Sequence, residues 1–305
     1  SGPAALDAAR VVVDDVRAID VNMGCPVHFS TQGGMGSALL SRPEMVHDIL
    51  RTLVSNLSPK PVTCKIRLLD EPHKTLELAR LIWDCGVSAL AVHVRRIADR
   101  PRHWAQWDQF VALRQHTPAH IPLVLNGDVF YPEDIPRAFE LTNADSLMLA
   151  RGAMWHPALF RCDPAALVPH HELVARFIEL AEEHSNAFPN SKYVCLQMVE
   201  GHGKSQAFQL FSQARDYADL RAAVANMAAD ARFAGPPRHV PPQEPPPGVE
   251  GAPSHPMNAW RPAPHYKQLP QRQKQRKKPR VGVGAPPCVS SDSGEHTSKV
   301  DLSST

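Results

Sequence analysis

The residues best suited to chemistry gather near the start of the chain, in Ala18 to Leu40, AIDVNMGCPVHFSTQGGMGSALL. Cys25 brings a thiol and Asn22 a side-chain amide three residues earlier. Pro26 fixes the next backbone position, and Gly33, Gly34 and Gly36 make a loop that could close over a ligand. A thiol on a turn at the carboxyl end of a strand is where an α/β protein places reactive groups. The plain alternative is that Cys25 is a small buried apolar residue, as most lone cysteines are. Spacing does not separate the two readings. The surrounding amide, proline and glycines favour chemistry.

The elements that must position these residues follow a regular alternation. An amphipathic helix over 4–16 precedes a short strand, Ile19-Asp20-Val21, that leads into Asn22. Helices are expected at Glu44–Leu57, Thr75–Cys85, Asp108–His116 and Glu133–Glu140. Between them lie the strands VTCKIRL, SALAVHV, LVLNGD and DSLMLARG. Apolar strands alternating with helices predict a parallel sheet buried on both faces. The five strands end near Asn22, Arg67, His93, Asn126 and Arg151, each at a polar or charged residue. If the sheet belongs to a (β/α)8 barrel, those ends converge on the face that carries active sites; a five-stranded open sheet is the simpler alternative. From 157 to 233 the strands stop. Helices are expected over Glu172–Glu183, after a cap at Asn190, and in FQLFSQ and DLRAAVANMAADAR. From 234 to 305 the sequence turns Pro-rich, and half of the 30 prolines fall there, predicting a disordered tail. Its basic run, KQLPQRQKQRKKPR, reads as a solvated segment, an RNA tether or a nuclear-import signal.

At 305 residues and 43% hydrophobic content the chain can hold two cored domains. A net charge of only +2 means that any nucleic-acid affinity must come from local basic patches. The six cysteines show no CxxC pair, which argues against a structural metal site and for a reducing compartment. No apolar run approaches the ~20 residues of a membrane span, and the N-terminus lacks secretory features. The expectation is a soluble, metal-free, cytoplasmic monomer, with nuclear entry if the basic run is an import signal.

NMGCP followed by STQGGMGSALL resembles the catalytic loop of the tRNA-dihydrouridine synthases, most of all the eukaryotic type that modifies uridine 20 of the D-loop. TCKIR, AVH, RPRHWAQW, NGD, LARGAMWHP and NSKYVCLQM extend the resemblance, in family order, over roughly 14 to 199. It implies a TIM (β/α)8 barrel of which this chain carries the last five strands, over 1–156, followed by a helical tRNA-binding domain over 157–233. It also implies FMN as cofactor, NADPH as reductant and tRNA as partner. In that chemistry a hydride goes from FMN to C6 of uracil and a proton goes to C5 from the opposite side. Cys25, mostly protonated at a thiol pKa of about 8.5, is the implied general acid. Asn22 and Arg95 would contact substrate. Lys65 and His93 would contact the flavin, and Asn126, Gly127, Asp128, Ala150 and Arg151 would hold its phosphate.

Departures are visible. The family's His-Gly-Arg is His93-Val94-Arg95 here, and Val27-His28 stands where a lysine often follows the Gly-Cys-Pro turn. The family's Pro-Met segment and its flavin-contacting Gln lie on strands preceding the Cys loop, so the chain reads as a fragment with half its FMN cradle missing. An inactive RNA-binding remnant is therefore a competing expectation. A third, another FMN barrel enzyme acting on a free pyrimidine, fits the helical segment and basic tail poorly.

Overall fold

Residues 62–68 alternate Val, Cys, Ile and Leu with Thr, Lys and Arg, a period of two that suits a strand with one apolar face. In the computed structural model, which describes residues 1–161, 167–199 and 203–236, this is β2 (Val62–Leu68). Its apolar set is buried, and Thr63, Lys65 and Arg67 on the other face are half-buried. β1 (Ile19–Asn22), β3 (Ala89–Arg96), β4 (Leu123–Asn126) and β5 (Ser146–Met148) join it in one parallel sheet, ordered as they occur in the chain.

The register carries the two-residue period across all five strands. Asp20, Asn22, Thr63, Lys65, Arg67, His93, Asn126 and Met148 fall on one face. Cys64, Ile66, Leu90, Val92, Leu123 and Leu125 fall on the other, where they form a core with α1 (Gly2–Val12), α3 (Pro43–Leu57), α4 (Pro72–Asp84), α5 (Trp107–Arg114) and α6 (Asp134–Thr142). The expected burial on both faces is met only in part: Ala91 and Asn126 are buried on the second face, and Asp20, Asn22, Lys65 and Arg67 are not. Helices cover one face, and the other is polar because Lys65, Arg67 and His93 recur at every second position.

Local chemistry accounts for the element ends. α1 stops at Val12, short of the expected Val16, because the β-branched run 11–13 leads into Asp14 and Asp15, and carboxylates disfavour a helix C-terminus. α4 starts at Pro72, three residues early, since proline suits the first helical turn. Pro189 does the same for α9 (Phe188–Met198), leaving Asn190 inside the helix instead of capping it. Between β1 and α3 the loop folds into the short helix α2 (His28–Gln32) and a 3-10 turn over Gly36–Ser41. β5 ends at Met148, so Arg151 opens α7 (Arg151–Trp155) instead of closing the strand.

α8 (His170–Glu183), α9, α10 (Gln206–Gln213) and α11 (Tyr217–Ala228) gather a second apolar cluster around Ile178, Met198, Phe211, Leu220 and Met227. Ser205 and Asp216 cap α10 and α11, accepting from the amides of Phe208 and Asp219 at 3.0 and 2.9 Å. Residues 234–236, read as the start of the tail, are described, and Gly235 O accepts from His170 N at 2.9 Å. The rest of the predicted tail, with its basic run, lies outside the described residues, as do Cys162 and Cys288.

Candidate active site

The turn after β1 is held by its own residues. Asn22 Oδ1 accepts from the amides of Gly24 and Cys25 at 3.0 and 3.2 Å, an Asx-type turn that offers the thiol at the strand end. The far side of the loop closes on it through Ser37 N, which donates to Cys25 O at 2.9 Å. That approach requires Gly36: its φ is +59°, and a Cβ there would lie 2.6 Å from Cys25 O. Arg67, one period beyond Lys65 on β2, donates from Nε to Gly24 O at 2.7 Å and from Nη1 to Arg96 O at 3.3 Å. It therefore ties the Cys loop to the end of β3.

The half-buried Cys25 sulfur lies 3.5 Å from Ser30 Oγ. Hydrogen bonds from the Ser30 hydroxyl and then the Val27 amide lower its pKa, reinforced by the charges of Arg67 and Lys65. Lys65 is pushed down to about 8, chiefly by burial and then by repulsion from Arg67. Its ammonium has no hydrogen-bond or ion-pair partner among the described residues.

Beside this group, at the carboxyl ends of β3 and β4, a cavity of about 270 Å³ is lined by His93, Asn126, Gly127, Ala150 and Arg151, and also by Arg67, Arg100 and Pro26. Burial, then the surrounding Arg67, Lys65, Arg95 and Arg151, drive the His93 pKa down to about 2, so the ring is neutral at ordinary pH. Arg95 Nη1 lies 3.3 Å from His93 Nε2 and can only donate, which leaves the ring proton on Nδ1.

Asp128 organises the cationic wall. Its Oδ1 accepts from Arg95 Nη2 at 2.6 Å and from Arg151 Nη2 at 3.0 Å, and its Oδ2 accepts from Ala105 N at 2.6 Å. Gly127 before it has φ +138°, and a Cβ there would lie 2.8 Å from that of Ala105. Arg151 also donates to Pro101 O at 3.2 Å and lies over the Phe130 ring at 5.0 Å. Asn126 Nδ2 donates to Met148 O at 2.7 Å, linking β4 to β5.

The ten residues singled out from the sequence fall into two adjacent groups. His93, Arg95, Asn126, Gly127, Asp128, Ala150 and Arg151 line the cavity; Cys25 and Asn22 at the end of β1, and Lys65 beside Asn22 in the middle of β2, lie outside its lining. Two expected roles change. Arg95, read as a substrate contact, is 2% exposed, and its guanidinium is taken up by Asp128, His103 O and His93. Asn22 commits its side-chain oxygen to the loop, leaving only the Nδ2 donors for a ligand. Arg67 was read as the polar end of its strand but given no role at the site, although the period of two from Lys65 marks it. Sequence reading missed Asp99 and Arg100, which line the cavity from a loop of no regular pattern. Among the described residues no group of three or more His, Cys, Asp or Glu is arranged to hold a metal ion.

Residues 2–233 match the family described as "Dihydrouridine synthase (Dus)". The chain is 33% identical over 226 residues to tRNA-dihydrouridine(20) synthase [NAD(P)+] of Schizosaccharomyces pombe, covering 72% of this chain and 46% of that protein. It is 33% identical over 204 residues to the tRNA-dihydrouridine(16/17) synthase of the same organism, covering 65% and 50%. Against tRNA-dihydrouridine synthase B of Salmonella typhimurium the identity is 39% over 158 residues, covering 51% and 48%. The chain spans about half the length of the curated relatives it matches. A match that runs from α1 through the last short helix after α11, and takes in every residue of the site, decides the assignment: the chain belongs to the dihydrouridine synthase family.

Proposed function

We propose that this chain forms the substrate- and phosphate-binding part of an enzyme that reduces uridine to 5,6-dihydrouridine in the D-loop of tRNA, with FMN as cofactor and NADPH as electron donor. The observation that carries the reading is the juxtaposition of an acidified thiol with a cationic cavity built around a neutral histidine. The sheet's sequential order, with helices on one face, supports reading its strands as five consecutive members of a TIM barrel.

The residues present fit the proposed cofactor. Lys65 has no ion-pair partner for its ammonium among the described residues, His93 offers an uncharged ring N–H, and Gly127 lines the cavity beside it. Arg151 is the natural phosphate ligand, already oriented by Asp128 and Phe130. Reduced FMN, when bound, would supply the hydride for C6 of the uracil. Cys25 gives the proton to C5, and Lys65 and Arg67 stabilise the thiolate that remains. The Asn22 Nδ2 group is left free to hold the uracil edge, and the helices α8–α11 are the candidate tRNA-contacting part.

The direct test is the dihydrouridine content of tRNA incubated with the protein, FMN and NADPH. Flavin that is bound and reduced while the tRNA stays unmodified would sink the reading. Arg151→Ala should lower flavin occupancy first, by roughly tenfold or more in affinity for the loss of one charge-assisted pair, with turnover per bound flavin nearly retained. Flavin absorbance after gel filtration, set against dihydrouridine formed, separates the two effects.

A further inference from the structure

We propose that Ser30 is a positioning residue for the Cys25 thiol, fixing the sulfur's rotamer and donating its hydroxyl hydrogen to the thiolate left when the proton departs. This rests on the reading of Cys25 as proton donor. Both partners of the 3.5 Å contact are anchored separately. Cys25 is held by the Asn22 side chain through its N–H and by Ser37 N through its C=O. Ser30 N donates to Val27 O at 2.9 Å and Ser30 O accepts from Met35 N at 2.9 Å, so α2 is folded back onto the loop that bears the thiol. The loop needs no such fold to satisfy Cys25's own backbone. What the fold adds is a hydroxyl at the sulfur.

The chemistry gives that hydroxyl a use. As hydride adds to C6, the displaced electron pair of the C5–C6 double bond forms a C5–H bond with the thiol proton. The S–H pair stays on sulfur, and the thiolate later regains a proton from solvent. A hydrogen bond to an ionised acceptor is roughly twice as strong as one to a neutral acceptor, so the Ser30 contact strengthens as the proton leaves. An interaction that is stronger in the transition state than in the ground state raises the rate of the chemical step. Lys65 and Arg67 act in the same direction through charge alone, and the Val27 backbone also lowers the thiol pKa, an effect that no side-chain substitution removes.

The experiment is iodoacetamide alkylation of the chain across a pH series, with Cys25 read by peptide mass spectrometry. Cys64, Cys85 and Cys195 are buried and should react slowly. Ser30→Ala should move the alkylation midpoint up by about one pH unit. Ser30→Thr should restore it, and Ser30→Val, of threonine's shape but without the hydroxyl, should behave as Ala. Dihydrouridine formation in the Ala and Val variants should fall about tenfold, with its alkaline limit displaced by the same interval. An unmoved midpoint in both Ala and Val would overturn the role of Ser30. Alkylation does not depend on turnover, so that failure is distinct from failure of the proton-donor reading, which would appear as a Cys25→Ala protein that still forms dihydrouridine.

Discussion

In the whole enzyme of which this chain is proposed to be a part, Cys25→Ala should lower dihydrouridine formation by roughly 10²–10⁴-fold, the usual loss for a general acid, while flavin remains bound and reducible by NADPH. The separation follows from geometry: Cys25 lies outside the lining of the cavity that holds His93, Asn126 and Arg151, so deleting its sulfur leaves that wall intact. Cys25→Ser should recover little, since an alcohol is a far weaker acid than a thiol. The sign of the pH dependence is fixed as well. An acid works only while protonated, and the Ser30 hydroxyl, the Val27 amide, Arg67 and Lys65 hold this thiol below its ordinary pKa. The single-turnover rate should therefore decline as pH rises through that lowered value, and the decline should begin below the ~8.5 of a free cysteine. Single-turnover formation of dihydrouridine from pre-reduced protein measures it. A Cys25→Ala protein that loses its flavin instead would make Cys25 a packing residue.

Asp128→Ala should destabilise the fold by about 3–5 kcal/mol in chemical denaturation, the range for removing one partner of a buried ion pair. Asp128 and Arg95 side chains are 4% and 3% exposed, and among the described residues no other carboxylate pairs with Arg95. Deleting the carboxylate leaves a guanidinium out of water and strips the Ala105 amide of its acceptor. Arg151, at 23% exposure, can turn to solvent and should contribute little to the loss. Replacing both members of the pair, Asp128→Leu with Arg95→Met, should recover only the part due to the unpaired charge, because the Ala105 amide still lacks its acceptor and Leu is strained at the φ of +57° that Asp128 adopts. A loss under about 1 kcal/mol for Asp128→Ala would mean that water reaches Arg95 and that the pair is not sealed.

The strands, their order of occurrence and the placement of Lys65, His93 and Asn126 at one end of the sheet were legible because a two-residue period is local information. So was the turn at Asn22-Gly24-Cys25, although its spacing predicts a self-contained Asx turn as readily as a substrate contact. Arg95 was misread because its environment is set by Asp128, 33 residues away, and by the loop carbonyls of Pro101 and His103. A charged residue at a strand end reads as exposed until its counter-ion is known. Ser30 opens the STQGGMGSALL stretch, yet nothing in that stretch signals a contact with the thiol. Its contact with the sulfur exists only because five residues after Val27 fold into a single helical turn, a length too short for periodicity to reveal.

β1 and β5, the outer strands of the sheet, contain four and three residues and each pairs with one neighbour only. In the isolated chain, strands so placed should open locally at a small fraction of the free energy needed for global unfolding, with β2, β3 and β4 opening last. The thiol loop hangs from β1 and Arg151 follows β5, while His93 and Asn126 rise from the slow centre. In that isolated chain the candidate site would thus have a stiff middle and two breathing flanks. A ligand that touches the thiol at one flank, His93 in the middle and Arg151 at the other would act as a brace across the whole sheet. Its binding energy would appear as slowed amide exchange at Val21 and Leu147 before any change at Val92.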